Sequence, residues 1–356
     1  MLAFERSVIG NGVMVPDAKI MIEGMPLMAP IMKSITHISV SQLEHGSGSF
    51  TLQIYDPVFA LIDTVQGVFL EGKRVEIMLG YVGQLHTLIV GDIESVSVDL
   101  DEGGGLTVQV MGHDRLHAGT RGTEYREFAE KTSDSEAVRV IAVALLLTPS
   151  VEQTESRTDQ LKQNNVSNLQ FLKQLAERNK FILWVDGSTL HFKQQRNSQQ
   201  TTVARGRDLI SFSANLNTSG HVDCIEVRGW NTSEKTAFSA EVKVGEEPGY
   251  STLLTPTGQA QVSKGGSGQS KRVIYTSEQV NTIAEAKKLA EKYMQEQKRS
   301  LITARGSAVG NTSIQAGTRL KLENMGRFNG NYIIESTNHD FGASGYRTSF
   351  TLRTDL

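Results

Sequence analysis

The chain has 356 residues, which is long enough for two or three domains that each bury a hydrophobic core. Its 36 lysines and arginines nearly balance 39 aspartates and glutamates, so a formal net charge of −3 disfavours nucleic acid or an anionic membrane as the main partner. The single cysteine, Cys224, excludes a disulfide within the chain, and its place in an apolar alternation favours a buried thiol over a reactive one.

The sequence predicts neither a signal peptide nor a membrane-spanning segment. Glu5 and Arg6 lie in the first residues, and no apolar stretch of signal-peptide length follows them. The most apolar run, Val140–Leu147, is far shorter than the roughly 20 residues of a spanning helix. We therefore expect the protein to be made and folded in the cytoplasm.

The part of the chain from Lys19 to about His113 has the pattern of an antiparallel sheet or barrel. Apolar residues alternate with polar ones in four runs, which places one set on each sheet face. These runs are Phe50–Tyr55, Arg74–Leu79, Ser95–Leu100 and Leu106–Val110. Val98 is predicted to face inward. Asp56–Leu70, with Pro57 in its first turn, predicts one short helix packed on the sheet, and Gly103–Gly105 predicts a hairpin turn.

The following part, to about Arg207, is predicted to be richer in helix. Ser133 and Glu136 form a capping box before a helix over 137–147. Ser167 and Gln170 do the same for a second helix, which Asn179 is predicted to end. The dipeptide Asp186-Gly187 between two strand-like runs predicts a β-hairpin, so this region is interpreted as an inserted α+β domain.

Strand patterns return from Leu209 and continue to the end, with two interruptions. Residues 241–276 are rich in Gly, Ser, Lys and Glu, which is typical of a flexible surface excursion. Asn281–Arg299 is predicted to be a helix that begins with a capping box of Thr282 and Glu285.

The two strand-rich parts contain closely similar sequences. Gly72–Ile77 resembles Gly317–Leu322, with a glycine and an arginine at the same offsets before alternating aliphatic residues. Gly91–Val96 then resembles Gly330–Thr337, including a Glu-Ser step, and Leu106–Val110 resembles Tyr346–Leu352. Internal similarity of this kind predicts a duplicated β-barrel whose second copy is interrupted by insertions.

These segments also carry a resemblance to a known family. The chain resembles the hub proteins of contractile phage tails, often called late-control protein D, and the N-terminal half of VgrG-type spikes of type VI secretion. The resemblance covers nearly the whole chain. The segments on which it depends are Gly104–His117, Asn168–Arg178 leading into Trp184–Gly187, Val227–Trp230, Arg327–Gly330 and Gly345–Arg347.

The resemblance implies a mainly β fold with α+β insertions and two homologous tube-type antiparallel β-barrels per chain. The expected division is 1–118 for the first barrel, 119–206 for the inserted α+β domain, 207–240 with 300–356 for the second barrel, and 241–299 for the Gly/Ser-rich excursion and a packing helix. Three chains would present six barrels.

The implied function is structural. A homotrimeric baseplate hub would join a six-fold inner tube protein to a separate three-fold central spike protein, with other baseplate proteins around it. The particle would be a phage tail or a phage-tail-like machine, assembled from protein made in the bacterial cytoplasm. Polar positions such as Ser97, Asp99 and Arg347 are candidates to line the channel, and which strand faces do so is left open.

The residues indicate no catalytic site, no cofactor and no sequence-specific nucleic-acid site. His113 and His117, spaced i and i+4, are weak candidates for a metal site. Asp114 stands where the zincin pattern needs glutamate, and no third ligand is identifiable, so a structural turn is the favoured interpretation. Gly265–Lys271 lacks the Gly-Lys-Ser/Thr order of a phosphate-binding loop. Trp184 and Trp230 are expected to pack in a core or an interface.

Two alternatives from other classes remain open at this stage. One is an enzyme, a cell-wall hydrolase carried by the same machine, with carboxylates of the inserted domain as acid and base. The other is a surface-binding module in which the Gly-rich excursion contacts a receptor.

Overall fold

A computed structural model gives the fold and describes residues 7–9, 12–56, 61, 67–100, 106–155, 160–194, 196, 200–216, 222, 224–231, 235–243, 272–276, 282–299 and 302–355. The strands before the first long helix are β1 (Ser7–Ile9), β2 (Gly12–Met14), β3 (Pro16–Ile22), β4 (Met25–Pro26), β5 (Ile35–Leu43), β6 (Ser49–Tyr55), β7 (Arg74–Tyr81), β8 (Gln84–Leu100), β9 (Leu106–Asp114) and β10 (Glu124–Glu127). The next are β11 (Thr148–Val151), β12 (Lys162–Val166), β13 (Ile182–Asp186), β14 (Thr189–Lys193), β15 (Gln200–Ala204) and β16 (Leu209–Leu216). The last are β17 (Cys224–Asn231), β18 (Thr236–Lys243), β19 (Arg272–Thr276), β20 (Ile302–Val309), β21 (Arg319–Glu323), β22 (Gly330–Gly342) and β23 (Gly345–Thr354). The helices are α1 (Ala29–Ser34), α2 (Asp134–Ala144), α3 (Asn168–Asn179) and α4 (Ile283–Arg299), with short 3-10 helices at Arg115–Thr120 and Gly326–Phe328. The predicted fold class, mainly antiparallel β with α+β insertions, is confirmed.

One 13-stranded sheet runs through both strand-rich parts of the chain. Its path is β16-β20-β23-β22-β5-β6-β9-β8-β7-β3-β4, with β21 paired to β22 off this path and β15 paired to β21. The strands from the beginning and the end of the chain meet where β5 pairs with β22. The first half of the sheet, β3 to β9, and the second half, β15, β16 and β20 to β23, are therefore hydrogen-bonded to each other.

Five strands recur in the same order and direction in the two halves. The first half has β5-β6-β9-β8-β7, and the second has β16-β20-β23-β22-β21, with every neighbouring pair antiparallel. The sixth position differs, because β3 runs antiparallel to β7 whereas β15 runs parallel to β21. The segments with similar sequences lie on corresponding strands of this order, β7 with β21, β8 with β22 and β9 with β23.

Local irregularities recur as well. The β8–β9 ladder shifts register between Ile93 and Ser95, and the β22–β23 ladder shifts between Ile334 and Ser336. The bulged residue is therefore a glutamate in both ladders, Glu94 in β8 and Glu335 in β22. A second register shift also recurs, between Ile35 and His37 in the β5–β6 ladder and between Leu209 and Ser211 in the β16–β20 ladder.

The glycine that precedes β7 and β21 is also equivalent. Gly72 has φ +84° and donates its N–H to the carbonyl oxygen of Ile93 at 2.8 Å, while Gly317 has φ +81° and donates to Ile334 at 2.7 Å. These values lie in the left-handed region that favours glycine. The shared conformation explains why the glycine recurs two residues before the arginine in both halves.

Each half of the sheet has its own hydrophobic core. Ile20, Val40, Leu52, Ile77 and Val108 lie in the first core, and the second contains buried residues of β15, β20, β21, β22 and β23. Among the described residues no ladder closes either half on itself, so the two-barrel arrangement stays a prediction.

The inserted region forms a third core around α2 and α3. Ser133 and Glu136 make the predicted capping box at α2. Ser167 accepts the N–H of Gln170 at α3, and the helix ends at Asn179 as predicted, with Lys180 in the left-handed conformation directly after it, at φ 58°. The hairpin of β13 and β14 turns through Gly187, with φ +58°, as expected.

Residues 207–240 do not all belong to the sheet of the second half. β17 pairs antiparallel with β18 and parallel with β19 in a separate three-stranded sheet. Helix α4 packs on this sheet through Ala286, Ala290 and Met294, and so forms a fourth core. The reason is that the face of β17 that carries Ile225 and Val227 is covered by α4 rather than by the large sheet.

Several sequence predictions lie outside the described residues. They are most of the helix expected over Asp56–Leu70, the hairpin turn at 103–105 and the Gly-rich excursion at 244–271. In the described part of the chain, no helix is long and apolar enough to cross a membrane. The predicted inward placement of Val98 is wrong for the isolated chain, because 42% of its surface is exposed and no described element covers the end of β8.

Candidate functional site

The junction between the two halves is an antiparallel ladder of β5 with β22. Its register pairs Val40 with His339, Ser41 with Asn338 and Ile38 with Phe341. The buried members Val40, Ile38 and His339 seal the core side of the ladder. On the other side, the amide oxygen of Asn338 accepts hydrogen bonds from the hydroxyls of Ser39 and Ser41, both at 2.9 Å.

An ion pair fixes the end of this junction. The Arg353 guanidinium donates to both carboxylate oxygens of Glu44, through Nε at 3.3 Å and through Nη2. Arg353 also lies 3.8 Å from Glu335, the bulged residue of β22, and the backbone N–H of Glu44 donates to the Glu335 carbonyl at 2.8 Å. Two carboxylates, one from each half, therefore share one arginine.

The two halves each present one further strand edge of the same kind. In the first half, β8 beyond Ile93 pairs only with β9 among the described residues, whereas the corresponding part of β22 pairs with β5 on its other side. In the second half, β16 pairs in a ladder only with β20, whereas the corresponding β5 also pairs with β22. An exposed edge of this kind is a template for pairing with another strand.

The side chains on these two edges are complementary. On β8, Val98 and Leu100 are 42% and 70% exposed and alternate with Ser97 and Asp99. The half-buried residues Phe212, Ala214 and Leu216 of β16 alternate with Ser213 and Asn215. Each edge has one apolar and one polar face, so an antiparallel pair could place apolar against apolar.

A cluster of potential metal ligands lies at the bulge of β8. Glu94 Oε2 is 2.9 Å from His113 Nδ1 and 3.5 Å from His117 Nε2. The two imidazole rings are stacked, with centroids 4.0 Å apart and an interplanar angle of 13°. The sequence predicted His113 and His117 as a weak pair, and the structure brings them together with a third group that sequence spacing did not identify, because Glu94 comes from another strand.

Charged groups surround this cluster. Glu94 Oε1 lies 3.9 Å from Arg121 Nη2. Burial lowers the pKa of His117, and His113 lowers it further, while Glu94 acts in the opposite direction. The cluster opens into a groove of about 810 Å³ whose wall includes Glu71 and Asp92.

A second polar site joins the inserted domain to the first half. The Arg196 guanidinium lies 5.4 Å from the ring centroid of Trp184, which stacks on His191 at 4.6 Å. Burial lowers the pKa of Arg196 to about 10. Trp184 is buried, as expected for a packing residue, whereas Trp230 is 52% exposed. This stack borders a cavity of about 290 Å³ that also contacts β5 and β8.

Asp114 lies between that cavity and the histidine cluster. Its carboxylate accepts hydrogen bonds from the Ser47 hydroxyl at 2.7 Å and from the N–H groups of Gly48 and Leu116 at 2.6 and 3.0 Å. Burial raises its pKa to about 6, although these donors oppose the shift. The residue in the zincin glutamate position therefore caps the 3-10 helix that carries His117.

A family model described as "Alg8 N-terminal domain" matches residues 18–342 of the chain. No curated protein matches the sequence.

Solved structures share the fold at low sequence identity. The 43 kDa tail protein of prophage MuSo2 from Shewanella oneidensis is 13% identical, with a TM-score of 0.69 over 95% of this chain and 98% of that one. A tail protein from Neisseria meningitidis MC58 is 12% identical, with a TM-score of 0.65 over 96% and 97%. A type VI secretion component from E. coli, similar to the phage T4 tail proteins gp27 and gp5, is 12% identical, with a TM-score of 0.55 over 95% and 77%.

Proposed function

The chain belongs to the Alg8 N-terminal domain family, and we propose that it is a structural component of a contractile tail or injection machine. Its fold is similar to that of two phage tail proteins and of a type VI secretion component. Its role is that of a baseplate hub, in which a homotrimer adapts a six-fold inner tube above to a separate three-fold spike protein below. Other baseplate proteins surround it, and the work is done by shape without catalysis.

The observation that carries this proposal is the repeated strand order with its unequal edges. Within one chain, β5 of the first half adds to β22 of the second. The corresponding strands β16 and β8 have no such partner among the described residues. If β16 of one chain adds to β8 of the next as β5 adds to β22, every half contacts its neighbours in the same way.

If this contact repeats the β5–β22 ladder, its register follows from the ladders within the chain. Pairing through β6 and β20 makes Val40 equivalent to Ala214, and pairing through β9 and β23 makes His339 equivalent to Val98. Since Val40 pairs with His339 within the chain, Ala214 pairs with Val98 of the next copy. Ser97 then lies opposite Asn215 in the same ladder. The apolar residues of both edges face the same side, and the polar residues face the other.

A ring of three chains contains six such halves. Contacts that are related by rotation close into a ring when the rotation divides the full turn. Six equivalent halves match a six-fold tube, while the three copies of the whole chain match a three-fold spike. The loops and insertions differ between the two halves, so each kind would occur three times in the ring, as a three-fold spike requires.

Val98→Asp tests this assignment. Because Val98 is 42% exposed in the single chain, the aspartate leaves the monomer folded but places an unpaired charge opposite Ala214 of the next copy. We expect the wild type to give a trimer by light scattering, alone or with the co-expressed spike, and the variant to give a monomer with an unchanged circular dichroism spectrum. Val15→Asp, at a position that is also 42% exposed but lies outside the proposed ladder, is the matched control and should assemble.

Two results would contradict the proposal. One is a stable wild-type monomer in the presence of the spike. The other is normal assembly of the Val98→Asp variant. Hydrolysis of peptidoglycan by the purified chain, lost on a single carboxylate substitution, would contradict the non-catalytic role and favour a cell-wall hydrolase.

A further inference from the structure

We propose that Glu94, His113 and His117 bind one divalent transition-metal ion of the zinc type. The three ligands come from three separate elements. Glu94 is the bulged residue of β8, His113 lies on β9, and His117 lies on the 3-10 helix that follows. The ion would therefore connect the sheet to the segment that leads into the inserted domain. This proposal does not depend on the oligomeric state.

The donor atoms have the spacing of a metal site. All three lie within 4.8 Å of one another, and Glu94 Oε2 approaches both histidines, at 2.9 and 3.5 Å. A tetrahedral zinc ion with bonds of about 2.0–2.1 Å holds its donor atoms roughly 3.3 Å apart. Because each imidazole binds a metal through a lone pair in its ring plane, at least one of the two stacked rings would have to turn out of the stack to share the ion, which would replace the hydrogen bond between Glu94 and His113.

The surroundings suit a cation with an open position. The cluster is partly exposed in a groove, so that a water molecule has room to complete a four-coordinate shell. Glu71 and Asp92 add negative charge to the groove, which Arg115 and Arg121 partly offset. Arg121 lies near Glu94 Oε1 and leaves Oε2 to the histidines. Two imidazoles and a carboxylate are ligands that favour zinc and its neighbours over calcium or magnesium.

The repeat supplies an independent argument. The ladder positions of Glu94 and His113 correspond to those of Glu335 and Arg353 in the second half. There the bulged glutamate lies 3.8 Å from a guanidinium, which also binds Glu44. In the first half the arginine is replaced by a histidine, with a second histidine stacked on it. We infer that a bound cation takes the place that the fixed positive charge has in the second half.

The test uses the full-length chain without an affinity tag and zinc chloride as the probe. Equilibrium dialysis followed by metal analysis should give about one zinc per chain for the wild type. His113→Ala and His117→Ala should each weaken binding by more than the roughly 10- to 100-fold that is typical of losing a residue that only supports a ligand. His37→Ala is the matched control, because His37 is a similarly exposed histidine beside a carboxylate, 3.4 Å from Asp340.

A second variant separates loss of the metal from loss of the fold. His113→Arg copies the arrangement of the second half, so it should fold without metal and bind no zinc. Zinc should raise the melting temperature of the wild type and of His37→Ala but not that of His113→Arg. Cobalt in place of zinc should give the intense visible absorption of a four-coordinate ion in the wild type only. Absence of zinc binding by the wild type, or equal binding by His113→Arg, would overturn the proposal.

Discussion

His339 lies at the centre of the β5–β22 junction, and its burial makes the stability of the fold depend on pH. The side chain is fully buried, and its Nδ1 is 2.9 Å from the Tyr346 hydroxyl and 3.1 Å from the Thr348 hydroxyl. Burial lowers its pKa from 6.5 to about 4. The imidazole is therefore neutral in the folded protein at pH values where the unfolded chain has already taken up a proton.

This difference makes the folded protein less stable as the pH is lowered. Between pH 6.5 and about 4 the unfolded state binds more protons than the folded state, so the free energy of unfolding falls as the pH is lowered through this range. A difference of about 2.5 pKa units corresponds to roughly 3 kcal/mol lost between pH 7 and pH 4. The full contribution is present above pH 6.5 and is gone below about 4.

We would measure this effect with the substitution His339→Gln. Urea unfolding of wild type and variant at a series of pH values gives the free-energy difference between them at each pH. At pH 7 the wild type should have the higher free energy of unfolding, because glutamine leaves a hydroxyl without its partner. This difference should shrink by about 3 kcal/mol by pH 4. His86→Gln, at an exposed position, is the matched control for removing a histidine. A gap between wild type and His339→Gln that stays constant from pH 7 to pH 4 would refute the argument.

Two further substitutions test the packing of the second half and the junction. Gly310→Ala would place a methyl group 2.1 Å from ring atoms of Tyr346, so we expect a loss of about 2–4 kcal/mol in thermal unfolding, and an unchanged melting temperature would show that the ring moves freely. Glu44→Ala leaves the guanidinium of Arg353 short of its main partner, so we expect a loss of about 2–3 kcal/mol and faster hydrogen exchange in β5 and β22. Glu323→Ala, which breaks an exposed pair, should cost less than about 1 kcal/mol, and equal effects of these two variants would contradict a special role of the junction.

The sequence predicted best those features that depend on neighbouring residues. Helix α2 begins with the predicted capping box, because Ser133 and Glu136 are close in the chain and satisfy each other. Residues 182–193 form the predicted hairpin, because Gly187 can adopt the positive φ that its turn needs. The recurrent glycine and Glu-Ser step marked the corresponding strands of the two halves, because the glycine takes a left-handed conformation and the glutamate is the bulged residue.

Features that depend on contacts between distant segments were harder to predict. Val98 has the alternation of a buried residue, but whether a strand face is covered depends on elements elsewhere in the chain or in another copy. β17 pairs with β19 in a separate sheet whose strands β17 and β18 contact α4, and the sequence of a strand alone does not show which sheet it joins. Glu94 could not be recognised as a partner of His113, since a ladder between strands brings them together.

The most direct test of the account is a disulfide between the two edges that are proposed to pair. Residues opposite each other in an antiparallel ladder have Cβ atoms about 4.5–5.5 Å apart, near the range that a disulfide spans. The variant carries Ser97→Cys and Asn215→Cys, with Cys224 replaced by serine. After oxidation the account predicts a covalent trimer, with a mass of three times 39.0 kDa, that is lost on reduction. The matched variant with Thr107→Cys in place of Ser97→Cys should remain uncrosslinked. Absence of crosslinking in the first variant, or equal crosslinking in both, would contradict the proposed ring.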